Sequence, residues 1–280
     1  MNRLITLSLC FFSLTLSAVS PSIQFPKVQS NVDYAKVADL AFSPAIEKIA
    51  YGTDALQFAL LWRAKSLKNA PQKPLVVLIH GGCWLSAYDI QHTYALSTGL
   101  AQAGFNVWSL EYRRSGDPGG GWPGTYEDII TGILASSKYN NGEFGLTETI
   151  LVGHSAGGHL ALLAGGKIEQ LKGVIGLAAI TDIKEYALGS NSCQQVTPQF
   201  MQGMPTEKPN EYYLANPSQQ PLHVNTVFLQ GDKDKIVPAF ELYTLDSKVI
   251  MLAGVGHFDW IHPGSDAFTT LTQELKGLAK

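Results

Sequence analysis

The sequence predicts an α/β fold built on a mainly parallel sheet with helices on both sides. Three observations predict it. Short runs rich in Val, Ile and Leu recur along the 280 residues, segments of helical spacing separate them, and glycine-bearing turns follow several runs. Strands buried on both faces read as continuous apolar runs, and strands alternating with helices call for parallel neighbours joined by crossovers. The length suits one sizeable core, at the upper end of a single domain.

The elements follow in order. Lys48–Gly52 and Leu56–Arg63 are read as an opening hairpin turning near Gly52-Thr53-Asp54. The runs Leu75–Ile79, Phe105–Leu110, Thr149–Val152, Gly173–Ala179, Thr226–Leu229 and Val249–Leu252 are the sheet strands. Each is short and rich in large aliphatic residues. Tyr94–Ala103, Tyr126–Ser137 and Ala156–Gly165 are the intervening helices. Near the end Phe268, Leu271, Leu275 and Leu278 form one apolar helical stripe. Thr181 to Pro221 breaks the rhythm, with Pro198, Pro205, Pro209, Pro217 and Pro221 and no strong strand. A plain loop of that length would be unusual, so residues 181–221 are expected to form a small, partly helical, cap-like insertion over the carboxyl edge of the sheet. Residues 21–45 show no element pattern and are read as an N-terminal arm, which leaves 46–280 as the main domain.

The first twenty residues, MNRLITLSLCFFSLTLSAVS, have a different character. One charge, Arg3, precedes a predominantly apolar stretch to about Leu16, and small residues follow. This is the layout of a secretory signal peptide. The apolar stretch is shorter than the roughly 20 residues of a spanning helix. Cleavage is expected near Ala18 or Ser20, giving a secreted or periplasmic product with no membrane span. Only Cys83 and Cys193 then remain. An oxidising compartment permits a bridge, but sequence spacing says nothing about distance, and two free buried thiols are the expectation. The net charge of −3, with no basic run, argues against a nucleic-acid partner.

The chemistry starts at Ile150–Leu163, ILVGHSAGGHLALL. A strand runs into Gly153-His154-Ser155-Ala156-Gly157 and a helix follows, the context a nucleophile elbow requires. The glycines remove side chains that would collide in so sharp a turn. Ser155 then stands at a helix N-terminus, where unpaired amides favour negative charge. A serine nucleophile needs a base held in one tautomer by an acid. QGDKDKIVP follows the strand at Thr226–Leu229, and AGVGHFDWIHP follows the one at Val249–Leu252. Both are at carboxyl strand ends, where α/β folds place their chemistry. His257, in a glycine-flanked loop, is the expected base, with His262 its competitor. Asp234 is preferred as the acid because the loop must travel away from its strand; Asp232 is the alternative, with a turn role otherwise. In LIHGGCW, Leu78–Trp84, the amides of Gly82 and Cys83 are expected to join that of Ala156 as oxyanion donors. His80 is expected to brace this loop and Trp84 to pack beneath it.

His80-Gly81-Gly82-Cys83-Trp84 resembles the HGGxW loop of the kynurenine formamidase and BD-FAE-like esterase branch of the α/β-hydrolase superfamily. GHSAGGHLAL (Gly153–Leu162), YRRSGDPGGGWPGTYEDI (Tyr112–Ile129) and GVGHFDWIHP (Gly254–Pro263) are also similar to members of that superfamily. The likeness covers about residues 48–278. It implies an α/β-hydrolase fold, with Ser155 as nucleophile, Asp234 as acid, His257 as base and Gly81 to Cys83 contributing to the oxyanion hole. Cys83 stands where the formamidase loop commonly has an aromatic residue, which together with the export signal favours a broader esterase.

The implied activity is a serine hydrolase acting through an acyl-enzyme on a small-molecule ester, formamide or amide. Two alternatives stand beside it: an aminopeptidase-like serine peptidase, and a non-catalytic binding protein on a hydrolase scaffold. SGDPGGGWPG lacks the spacing of a nucleotide-binding loop and is expected to shape the site's rim. No metal motif occurs, and neither metal nor cofactor is expected. Tyr212, Tyr213 and Trp260 are candidate pocket aromatics whose commoner role is packing.

Overall fold

The computed structural model describes residues 22–64, 74–239, 242 and 246–280. The expected signal peptide lies outside them. In chain order the elements are α1 (Tyr34–Ala38), β1 (Glu47–Ala50), β2 (Phe58–Trp62), β3 (Leu75–Ile79), α2 (Tyr94–Gln102), β4 (Asn106–Leu110), α3 (Gly124–Ser136), β5 (Thr149–His154), α4 (Ala156–Lys167) and β6 (Gly173–Leu177). Next come α5 (Ile183–Tyr186), α6 (Ser192–Met201), α7 (Pro209–Leu214), β7 (Thr226–Gly231), β8 (Lys248–Leu252) and α8 (Asp266–Leu278).

The strands form one sheet in the order β1-β2-β4-β3-β5-β6-β7-β8. The pairs β1/β2 and β2/β4 are antiparallel, and every later pair is parallel. Consequently β3, β5, β7 and β8 all end on one edge. The central strands divide their side chains between two cores. Leu75, Val77 and Ile79 of β3 pack on one side with Trp108, Leu160 and Ala161. Val76 and Leu78 pack on the other with Leu96, Trp260 and Leu271. Alternate side chains leave opposite faces of a strand, so an unbroken apolar run feeds both cores at once.

The insertion contributes α5, α6 and α7. Asn191 starts α6 with a capping box, its side chain accepting from the Gln194 amide while Gln194 reaches back. Phe200 of α6 stacks on Trp84 at 4.7 Å between ring centroids, so the insertion seats on the loop after β3. The glycine-rich loop before α3 also meets the insertion: the Trp122 amide donates to the Phe200 carbonyl at 2.9 Å. That loop braces the insertion and does not line the site's cavity, a correction to its expected rim role. Tyr212 and Trp260 are buried in the cores, and Tyr213 is exposed. Among the described residues no helix is long and apolar enough to cross a membrane.

The corner between β5 and α4 is a close backbone approach. Ser155 has φ 56° and ψ −121°, a region costing on the order of 1–3 kcal/mol for a residue with a side chain. A Cβ on Gly157 would collide with the carbonyls of Ile79 and His80, and one on Gly153 with the carbonyl of Gly157. Gly157→Ala is therefore expected to lower stability by about 1–3 kcal/mol through overpacking against backbone. Thermal denaturation reads this directly; an unchanged melting temperature would mean that β3 yields freely.

Candidate active site

Ser155 turns off the end of β5, and its amide donates to the Leu177 carbonyl of β6 at 2.9 Å. Beside it, β3 is followed by His80 and the loop Gly81 to Trp84. Gly82, Cys83 and Trp84 all take positive φ, at 106°, 53° and 56°. Two consecutive non-glycine residues in that region require strong support. The Leu85 amide closes onto the Gly82 carbonyl, and the Ser115 amide bonds the Trp84 carbonyl. Trp84 is buried beneath the loop. Cys83 is joined to Cys193 of α6 by a disulfide with Cα atoms 5.2 Å apart. This corrects the expectation of two free thiols: the insertion folds back so that the start of α6 meets the loop.

His80 sits under the same loop. Its Nδ1 bonds the Gly81 carbonyl at 2.8 Å and its Nε2 bonds Glu111 Oε1 at 3.0 Å. The Tyr112 hydroxyl donates to the His80 carbonyl at 2.7 Å. Glu111 also accepts from the amides of Ile90 and Tyr112. Burial opposes its ionisation, but His80, Arg114 and the Tyr112 amide prevail and hold the carboxyl below its usual range.

After β7 the chain turns at Asp232, which stays exposed and accepts from the Gly254 amide at 2.7 Å. Asp234 turns inward. Its Oδ1 accepts from the amides of Ile236 and Val237 at 2.8 and 2.9 Å, and its Oδ2 accepts from His257 Nδ1 at 2.8 Å. The carboxylate side chain is fully buried. That burial resists ionisation, yet His257 and the two amides outweigh it, and the carboxyl lies below the ordinary aspartate range. A donor at Nδ1 leaves Nε2 of a neutral His257 as the acceptor. His262 lies elsewhere on the loop, accepting from the Gly264 amide through Nδ1.

One cavity of about 190 Å³ unites these parts. Gly82, Cys83, Ser155 and His257 all line it. Ala156 is the first residue of α4 and is fully buried; its amide belongs to the unpaired first turn of that helix. His154 also lines the cavity, and its Nε2 donates to the His257 carbonyl at 2.9 Å. The residue before the serine thus holds the backbone of the histidine. Sequence reasoning missed the remaining walls: Tyr34, Tyr88, His92, Ser192, Ile236 and Phe258. Ile236 and Phe258 lie beside Asp234 and His257 in the chain, a signal that was readable. Nothing in the sequence pointed to Tyr34. Among the described residues no cluster of three or more His, Cys, Asp or Glu is arranged to hold a metal.

A family model described as BD-FAE matches residues 64–249. Esterase LipC of Mycobacterium tuberculosis is 33% identical over 120 residues, covering 42% of this chain and 29% of LipC. The probable carboxylic ester hydrolase LipM of the same organism is 31% identical over 106 residues, covering 37% of this chain and 24% of LipM. The matched stretch is thus under a third of either relative. Among solved structures, esterase B of Lactobacillus rhamnosis superposes with a TM-score of 0.71 at 18% identity, covering 87% of this chain and 89% of that one. An esterase of Pyrobaculum calidifontis gives 0.65 at 17%, covering 88% of each. These two show a shared fold, the α/β-hydrolase fold.

Three buried histidines set an acid limit. Burial pushes His92 down to about 3, with His80 adding to the effect. Burial pushes His159 down to about 4, although its Nε2 bonds the Ala215 carbonyl. Burial and then the nearby His257 push His154 well below the ordinary value. The unfolded chain protonates these rings near 6.5 while the folded protein keeps them neutral. Stability is therefore full above pH 6.5 and falls as the pH drops toward 4, by up to about 1.4 kcal/mol per pH unit for each ring. The depressed Asp234 and Glu111 add a further loss that starts near the ordinary carboxylate values and grows as the pH falls below them. Melting temperatures between pH 7.5 and 4.5 check this; a flat profile would contradict it.

Proposed function

The chain belongs to the BD-FAE family, and on that premise we propose that it is a serine hydrolase of small, uncharged carboxylic esters. The observation that carries this reading is the 2.8 Å bond from His257 to buried Asp234, in a cavity that His257 shares with the strained Ser155. LipC and LipM are named as ester hydrolases, which favours an ester over a formamide or amide. Among the described residues no Lys, Arg, Asp or Glu lines the cavity, so a charged group entering it would lose water without gaining an opposite charge there.

In the proposed reaction Ser155 Oγ attacks the ester carbonyl while His257 Nε2 takes the hydroxyl proton. Asp234 keeps Nδ1 protonated and stabilises the imidazolium that forms. The carbonyl oxygen becomes an oxyanion, for which the amides of Ala156, Gly82 and Cys83 are the donors. His257 returns the proton to the departing alcohol, leaving an acyl-enzyme. Water, deprotonated by His257, then releases the acid and restores Ser155.

Ser155→Ala is expected to abolish hydrolysis of p-nitrophenyl acetate while leaving the thermal melt essentially in place. A fluorophosphonate is expected to label the native protein at Ser155. Undiminished turnover in the alanine variant, or labelling at another residue, rejects the assignment. Asp234→Asn is expected to lower kcat by about 10⁴-fold and Asp232→Asn by less than tenfold. The reverse ranking moves the acid to Asp232.

The same reading extends to location. The Cys83–Cys193 disulfide fits an oxidising compartment, as does the leader pattern of the first twenty residues. Intact mass of the exported protein is expected to show a start near residue 19 or 21, and titration without reductant is expected to find no free thiol. An uncleaved chain with reactive thiols would count against export.

A further inference from the structure

Residues N-terminal to the family match return to the catalytic loop. The Val28 amide donates to the Gly264 carbonyl at 3.1 Å. The amides of Asn31 and Val32 donate to Asp259 Oδ1 and Oδ2, each at 3.0 Å. Asp259 is fully buried, and its Oδ2 also accepts from the Gly256 amide at 3.0 Å. Gly256 and Asp259 bracket His257 and Phe258. One carboxylate therefore holds the arm and the loop of the proposed base together. Val32, just before the short helix α1, and Val37 within it sink into the core on that side of the sheet and fix the helix there.

Helix α1 opens with Tyr34, and its ring enters the cavity wall. It meets Phe258 at 5.4 Å, Tyr88 at 5.8 Å and His92 at 6.0 Å between ring centroids. All four line the same cavity as Ser155 and His257. Tyr34 is half-buried, and burial, then Tyr88 and Asp89, push its hydroxyl up from the ordinary tyrosine value, so it faces substrate as a neutral phenol. The cavity of about 190 Å³ lies below the ~300–1,000 Å³ of pockets that take drug-sized ligands, which suits a short acyl group better than a long one.

We propose that Tyr34 is a specificity-determining residue, the wall that restricts this site to short-chain esters, and that Asp259 is the positioning residue that seats this wall against the His257 loop. The proposal rests on the hydrolase reading of Ser155. With Tyr34 removed, the wall it forms with Tyr88, His92 and Phe258 is breached and the cavity is longer by the volume of the ring. With the Asp259 clamp weakened, the arm and its ring withdraw together.

The test measures kcat/KM for p-nitrophenyl acetate, butyrate and octanoate with the full mature chain, and maps the adduct of a fluorophosphonate on each variant. The native protein is expected to prefer acetate or butyrate. Tyr34→Ala is expected to raise the octanoate-to-acetate ratio about tenfold or more, mainly through a lower KM for octanoate, in line with the discrimination a few methylenes provide. Tyr34→Phe keeps the ring and is expected to retain the native ratio. Tyr34→Val, with an apolar filler for α1, reads the same ratio should the alanine variant fold poorly. Asp259→Asn turns an acceptor into a donor facing main-chain amides and is expected to shift the ratio in the same direction. A native protein that already prefers octanoate, or a ratio unmoved in Tyr34→Ala and Tyr34→Val while Ser155 still takes the adduct, overturns the proposal. Absence of any adduct on native Ser155 overturns the hydrolase reading itself, and the two failures are told apart by that adduct.

Discussion

The structure depends on how closely the ends of β3 and β5 can approach. Gly157 lies against the carbonyls of Ile79 and His80 with no room for a Cβ, and this contact allows Ser155 to hold φ 56° and ψ −121°. A looser corner would relax the strain and let the serine fall back toward the sheet. The parallel register of β3 with β5 and of β5 with β6 places the loop after His80 on one side of the serine and β6 on the other. Sheet geometry, more than local preference, presents the hydroxyl.

Around that corner three buried carboxylates organise three loops in the same manner. Glu111 gathers the amides of Ile90 and Tyr112 together with His80. Asp234 gathers Ile236, Val237 and His257. Asp259 gathers Asn31, Val32 and Gly256. A carboxylate is costly to bury alone, but one that accepts several charge-assisted bonds becomes a strong and directional anchor. Each ties chain segments distant in sequence, and each stands behind a wall of the cavity. The histidines divide the remaining work: His80 supports the loop after β3, His154 holds the carbonyl of His257, and His159 reaches the end of α7 through Ala215.

Much of the fold was legible because its signals are local. Leu75–Ile79 is an unbroken aliphatic run and forms β3 over the same residues. The end of β5 was read two residues short because Gly153 and His154 are poor strand formers, and pairing with β6 overrides that preference. Ser155, Asp234 and His257 could be named because each lies beside a strand end with a distinct flanking pattern. The Cys83–Cys193 link was not legible, since it depends on where α6 lands. Tyr34 and Asp259 were missed for the same reason: an arm without periodicity gives no hint of which loop it will bind, and an acidic residue two positions past a histidine looks like ordinary turn chemistry.

The disulfide draws a closed ring around part of the chain. Its ends are 110 residues apart, and the ring encloses β4, β5 and β6 with Ser155, while Asp234 and His257 lie outside it. Cross-linking a span of this length removes unfolded-state freedom worth on the order of 4–5 kcal/mol in the chain-entropy account. A backbone cut anywhere inside the ring leaves both pieces tethered, so a protease that nicks the insertion near Leu188 and Ser190 or the loop before α3, where residues are exposed, cannot release a fragment. The strand bearing the serine would therefore stay attached to the rest of the domain after a first cut.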